Sequence, residues 1–210
     1  MSAATGHLSQ VDPAMAELIR HVGRCRLTVT KGREPFESLL RAIAHQQLHA
    51  RAAAAILGRF EALYPGDAFP APEQVLATDV ATLRACGWSG SKIAAIQDLC
   101  VKTVEGIVPT RRAAARMSDA VLIERLTAVR GIGRWTVEML LMFSLGRPDI
   151  LPVDDFGVRE GYRLLHGLDA QPKPRALALA GEIWAPYRST AAWYLWRAAE
   201  AGKSITYTAG

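Results

Sequence analysis

Apolar residues recur every three to four positions along almost the whole 210-residue chain, and no run alternates as a half-buried strand does. The segment "PFESLLRAIAHQQLHARAAAAILGRFEALYPG" keeps this helical period over two helices, interrupted near its paired glutamines. Punctuation residues divide the rest. Asp12–Pro13 reads as an N-cap and first-turn proline, opening a helix through "AMAELIRHVG". Pro72 opens "PEQVLATD"; "DVATLRACG" ends at Gly87 and "SKIAAIQDLCVKTVEG" at Gly106. Ser118 caps "DAVLIERLTAV", and the helical patterns "RWTVEMLLMFSLG", "DFGVREGYRLLHG", "KPRALALAGEIW" and "RSTAAWYLWRAAEAG" follow. Connections are brief. The expectation is an all-α fold of two helical lobes with a cleft between them. The first lobe is expected at about 36–117. The second is expected at about 118–210 together with the N-terminal helix, which makes it discontinuous in sequence.

Composition narrows the class. Half the residues are apolar, a globular rather than disordered balance, and no run is long enough to span a membrane. The opening "MSAATGHLSQVDPAMAELIR" has no basic stretch followed by a long apolar segment, so secretion is not expected; the cytoplasm of a bacterial-type cell and a nucleus both fit. A net charge of +5 is compatible with a polyanionic partner without demanding one. Cys25, Cys86 and Cys100 are widely spaced and odd in number, which suits buried thiols and offers no zinc or iron–sulfur spacing. His45 and His49 stand four apart, but Gln46, Gln47 and Leu48 between them lack the glutamate of a metalloprotease helix.

Chemistry concentrates in "LTAVRGIGRWTVEMLLMFSLGRPDILPVDDFGVREG", residues 126–161. Gly131 and Gly133 flank Ile132 in a turn between two helices, and without Cβ atoms they let a ligand approach the backbone. The helix that follows starts with amides that have no internal partner and carry positive dipole character, which suits a phosphate oxygen. Thr136 can add a hydroxyl, with Arg130 and Arg134 nearby. Taken alone, the two glycines also fit a plain interhelical turn; the flanking helices, the arginines and Trp135–Thr136 shift the balance toward a phosphate site. Asp154 and Asp155 sit at the start of another helix, where one can cap and the other face the site.

These segments resemble the helix-hairpin-helix DNA glycosylases, and within them the 3-methyladenine DNA glycosylase II family. The hairpin is similar to "PGIGxxTA", departing at Arg130, where proline is usual, and at Val137, where alanine is common. "LPVDDFGVREG" resembles the family's "PxDD" segment and "YRSTAAWYLW" its "WRSYA…W" segment; the resemblance runs from about Phe36 to Trp196. The stretch before Phe36 leaves no room for the β-rich N-terminal domain of some members, so a compact form is implied.

The resemblance implies a monofunctional enzyme. It would excise alkylated purines, 3-methyladenine first, from double-stranded damaged DNA during base excision repair, act as a monomer and leave an abasic site. Asp155 is its catalytic residue by that match, with Asp154 a structural neighbour. Trp135 stands where endonuclease III and other bifunctional members carry a Schiff-base lysine, so strand cleavage by that route is not expected. Trp135, Met139 and Trp196 match pocket positions, where electron-rich faces attract a cationic alkylated base; tryptophans at helical spacing are also ordinary core residues. Gln47, with Gln46 and His49 beside it, matches the segment that fills the gap left by a flipped base; a polar helix end reads the same way. Trp88 and Ser89 are candidates to press on the opposite strand. No organic cofactor is implied, and the carbonyls of Thr127, Val129 and Ile132 are candidates for a structural Na⁺ or K⁺. The rival functions are a glycosylase for uracil or mismatched thymine and a non-catalytic DNA-binding module.

Overall fold

Caps and turn glycines cut the chain into helices where the sequence places them. The computed structural model describes residues 2–66 and 68–206, the side chains of 203–206 excepted, and these form helices and connections without a strand. Two short helices come first, α1 (Ala3–Val11) and α2 (Pro13–Val22). Then come α3 (Pro35–His45), α4 (Ala50–Glu61), α5 (Pro72–Ala77), α6 (Val80–Ala85), α7 (Gly90–Val104) and α8 (Arg111–Ala114). The chain continues through α9 (Asp119–Thr127), α10 (Arg134–Phe143), α11 (Phe156–Leu165), α12 (Pro174–Ala180), a 3₁₀ turn at Gly181–Trp184, and α13 (Arg188–Thr206). Asp12 caps α2 through an Oδ1 bond from the Met15 amide at 3.0 Å, and Ser118 caps α9 from Val121 at 3.3 Å. Helix α1 had no clear signal, since its apolar content is slight; Ser2 caps it and only Thr5 and Leu8 are buried.

The helices assemble into two units. A central one runs Thr30–Leu140; a terminal one joins the chain up to Val29 with the chain from Leu141 onward. In the central unit α3 packs on α4 and α7, and α5 on α7, around Leu39, Leu40, Ile43, Phe60, Leu83, Ile96 and Leu99. Each such side chain contributes about 1.5–3 kcal/mol of burial. The boundary expected near residue 117 falls inside this unit. Hydrogen bonds explain why the hairpin stays with α3 and α7: Asp98 of α7 holds the Arg130 amide, and Gln46 at the end of α3 holds the Gly131 carbonyl.

In the terminal unit α11 lies along α13 at unusually short range. A Cβ built on Gly161 would stand 1.9 Å from the Leu195 carbonyl oxygen, so only glycine lets these backbones meet. Buried Asp12 ties the N-terminal helices into the same core, since its Oδ2 accepts the Trp184 indole N–H at 3.0 Å. Trp184, Tyr194, Leu8 and Met15 are fully buried in this unit.

Candidate active site and nucleic-acid interface

The hairpin between α9 and α10 is anchored by its apolar residues and presents its backbone. Val129 and Ile132 are buried, and the Ile132 amide closes the turn on the Val129 carbonyl at 3.1 Å. Gly131 adopts φ +76°, a left-handed conformation that L side chains strain to reach. Gly133 has no such constraint, and a Cβ there would meet nothing within 4 Å. Its carbonyl accepts the Val137 amide at 3.2 Å, which joins the turn to the start of α10.

Two braces hold this turn. Asp98 Oδ2 accepts the Arg130 amide at 2.6 Å, while Lys102 Nζ bonds both oxygens of the same carboxylate at 2.6 and 2.7 Å. Partial burial works to raise the Asp98 pKa, but the Arg130 amide and Lys102 outweigh it and hold the carboxyl below the usual aspartate range. From the other side, Gln46 Nε2 donates to the Gly131 carbonyl at 2.9 Å. Arg134 is not a free cation: its Nε pairs with the buried Glu138 at 2.8 Å, one turn along α10. Arg130 is exposed at the turn itself.

Beside the hairpin, within the central unit, opens a pocket of about 870 Å³ walled by Gln46, Gln47, Gly131, Trp135, Thr136 and Met139 among others. Six residues singled out from sequence are thus brought together. Trp135 is 49% exposed, which removes it from the core and leaves its ring in the pocket wall. Gln46 and Gln47 separate by role. Gln46 is spent on the hairpin, whereas Gln47 is exposed and held at φ +55° in the turn after α3. A non-glycine residue at that φ stores strain that the surrounding structure must sustain. Lys92 supports the turn from α7, donating to the Ala44 carbonyl at 2.7 Å, and burial lowers its pKa. His49 is exposed and starts α4 without a side-chain cap bond.

Asp155 belongs to the terminal unit. Its Oδ1 accepts two hydrogen bonds, from the Val158 amide at 2.8 Å and from the Trp196 indole N–H at 2.8 Å. The expected division of labour, one aspartate capping and the other facing the site, is corrected. Asp155 is itself the N-cap of α11, because the helix starts at Phe156, and Asp154 lies exposed one residue too early to cap. Trp196 stacks on Phe143 with ring centroids 5.9 Å apart and planes at 27°. The suggestion that Trp88 presses on DNA is also corrected. It is 3% exposed, packed edge-on against Phe60, and neighbouring Ser89 caps α7.

Among the described residues no group of three or more His, Cys, Asp or Glu side chains can hold a metal ion, and no helix is long and apolar enough to cross a membrane. Cys86 and Cys100 are buried and Cys25 half-buried, all three free, and burial pushes the Cys100 thiol up to about 12. Sequence reasoning missed Asp98, Lys92, Phe143 and Gly157. A signal existed for two of them: Asp98 and Lys102 form an i, i+4 pair, and Gly157 and Gly161 put two helix-weakening residues one turn apart.

An all-helical fold with a braced hairpin, an open pocket beside the hairpin and, one helix further along the chain, an aspartate that caps the next helix defines a helix-hairpin-helix nucleic-acid enzyme class. The profile of the HhH-GPD superfamily base excision DNA repair proteins matches residues 40–186, and the chain belongs to that family. It is 45% identical to DNA-3-methyladenine glycosylase 1 of Schizosaccharomyces pombe over 94% of this chain and 87% of that one. The solved structure of the Schizosaccharomyces pombe 3-methyladenine DNA glycosylase in complex with abasic DNA superposes with a TM-score of 0.80, covering 93% of this chain and 96% of that one. A DNA-3-methyladenine glycosidase from Bacillus halodurans, 36% identical, superposes with a TM-score of 0.88 over 97% and 92% of the two chains.

Proposed function

We propose that the protein is a monofunctional DNA glycosylase that hydrolyses the N-glycosidic bond of alkylated purines, with 3-methyladenine as leading substrate, in double-stranded DNA. The observation that carries this reading is Trp135. It is an exposed ring on the first turn of the hairpin helix, in the wall of the pocket, and by the family resemblance it stands where bifunctional members carry a lysine. An indole has no amine to form a Schiff base. Its face favours a cationic alkylated purine over the neutral parent. The names of the Schizosaccharomyces pombe and Bacillus halodurans relatives support the same substrate class.

The chemistry follows from the groups present. The bond between the deoxyribose carbon and the purine nitrogen breaks, and its electron pair leaves with the base, neutralising the alkylated ring. Positive charge grows on the sugar, and the Asp155 carboxylate stabilises it more in the transition state than in the ground state. Water supplies the new bond to carbon, its proton passing to Asp155 or to solvent. The hairpin amides, Gly131, Gly133 and Thr136 hold a backbone phosphate, and Gln47 fills the gap in the duplex, with His49 beside it. Water is the sole co-reactant. The Thr127, Val129 and Ile132 carbonyls are assigned a structural Na⁺ or K⁺ only: the Val129 oxygen accepts one hydrogen bond and keeps its second lone pair. The protein acts as a monomer wherever the cell keeps its DNA.

A panel of duplexes, each with one lesion, assayed for free base release, tests the reading. Release of 3-methyladenine, lost by about 100-fold or more in Asp155→Asn, is expected. Release of uracil or mismatched thymine without alkylpurines would replace the substrate, and no release at all would leave a binding module.

A further inference from the structure

We propose that Trp196 and Gly157 are positioning residues for the Asp155 carboxylate, Trp196 as the donor that orients it and Gly157 as the gap that admits the donor. The proposal rests on the reading of Asp155 as the catalytic group. It differs from the reading of Trp196 as a wall against which the damaged base stacks.

The geometry is specific. Two N–H groups converge on one oxygen of Asp155, the Val158 amide and the Trp196 indole, each at 2.8 Å. One donor alone leaves that oxygen room to swing; two, from different helices, hold it in place and with it the rotation of the carboxylate about the Cβ–Cγ bond. The Val158 bond comes from the helix that Asp155 caps and would form at any N-cap. The Trp196 bond comes from α13, across the helix pair, and has no such local reason.

Space for that indole exists because residue 157 has no side chain. A Cβ on Gly157 would stand 2.8 Å from Trp196 Cδ1, 3.2 Å from Trp196 Nε1 and 3.2 Å from Asp155 Oδ1. A methyl group there collides with the ring edge that donates. Neither partner retreats easily. Phe143 stacks behind the indole at 5.9 Å, and α11 is seated on the α13 backbone at Gly161, opposite Leu195, the residue before Trp196. Glycines 157 and 161 therefore do different work on one helix face: the second lets the helices meet, and the first leaves room for the bond to Asp155.

Single-turnover base release on several alkylated duplexes, affinity for an abasic-site duplex, and thermal melting test this together. Trp196→Phe keeps the ring and removes the donor. It should lower the chemical rate by about 10-fold or more, the scale of one hydrogen bond to a charged group. The same factor should apply to every lesion, with abasic-site affinity unchanged. Gly157→Ala should lower the rate comparably, and the double variant should be no slower than the slower single one, because both act through one bond. In an Asp155→Asn background Trp196→Phe should cost nothing further. Wild-type rates in a folded Trp196→Phe protein would overturn the proposal, as would losses that differ from lesion to lesion or add in the double variant. An Asp155→Asn protein with full activity would instead overturn the reading of Asp155 beneath it.

Discussion

Gly133→Ala isolates the proposed phosphate contact from the stability of the fold. The added Cβ meets no protein atom within 4 Å, and Gly133 is not among the positive-φ glycines. Such a substitution is neutral or stabilises by about 0.4–1 kcal/mol through the unfolded chain. If a phosphate oxygen sits against the amides that start α10, a methyl group on that surface pushes it out of hydrogen-bond range. A charge-assisted bond contributes about 1.5–3 kcal/mol, so the dissociation constant should rise about 10- to 150-fold. The loss should be similar for alkylated, abasic and undamaged duplexes, because a phosphate contact reads no base. Binding must be measured on all three at one fixed salt concentration. Gly131→Ala is the poorer probe: at φ +76° a side chain is strained by about 1–2 kcal/mol, so folding and binding would change together. A Gly133→Ala protein that melts normally and binds all three duplexes with unchanged affinity would take the hairpin out of the DNA interface.

Four further outcomes are expected. Asp155→Asn should melt close to the parent, since asparagine caps as well as aspartate and still accepts from Trp196, whereas Asp155→Ala should lose about 1–3 kcal/mol of stability as well as activity; equal melting of the two would refute the cap. Borohydride should trap no enzyme–DNA adduct and strand breaks should follow only alkali treatment, so an efficiently trapped adduct would overturn the monofunctional reading. Gln47→Ala should weaken abasic and lesion complexes more than undamaged DNA, while Gln46→Ala, which frees the Gly131 carbonyl, should weaken all three; the reverse pattern would exchange their roles. Because Asp98 titrates below its ordinary range when folded, its bonds to Arg130 and Lys102 stabilise the protein above that range, and this stability should be lost as pH falls through the folded value. Melting from about pH 6 to about pH 2.5 should show a flatter acid limb for Asp98→Asn, and identical limbs would refute the brace.

What the sequence disclosed was what local chemistry decides. Asp12–Pro13, Ser118 and the glycines at 87 and 106 end or begin helices through bonds to residues three or four away, and the structure forms those bonds at the expected places. Other properties depend on distant contacts. Trp88 follows a glycine turn like a surface residue, yet Phe60 covers it. Asp154 and Asp155 are equivalent as capping residues until the first helical residue is fixed at Phe156. The hairpin belongs with the central unit because Asp98 and Gln46 reach it from 32 and 85 residues away, and no periodicity records such a reach.

The residues that break the pattern of burial are the informative ones. Helix α10, "RWTVEMLLMF", is apolar almost all round, and Val137, Leu140, Leu141 and Met142 are accordingly buried. By the same rule Trp135 belongs inside, and it is 49% exposed. Phe156 repeats the exception: it opens α11 next to Asp155 and is 66% exposed. Burying a large ring is among the stronger local driving forces, so leaving one in water at a helix start forgoes stability that a neutral turn would keep. Sequences depart from local rules in this way where a site requires it. At Trp135 the requirement has a physical form under the proposed function: its π face, beside the hairpin and in the wall of the pocket, would hold a cationic purine, and its lack of an amine would leave the cleaved sugar as an abasic site.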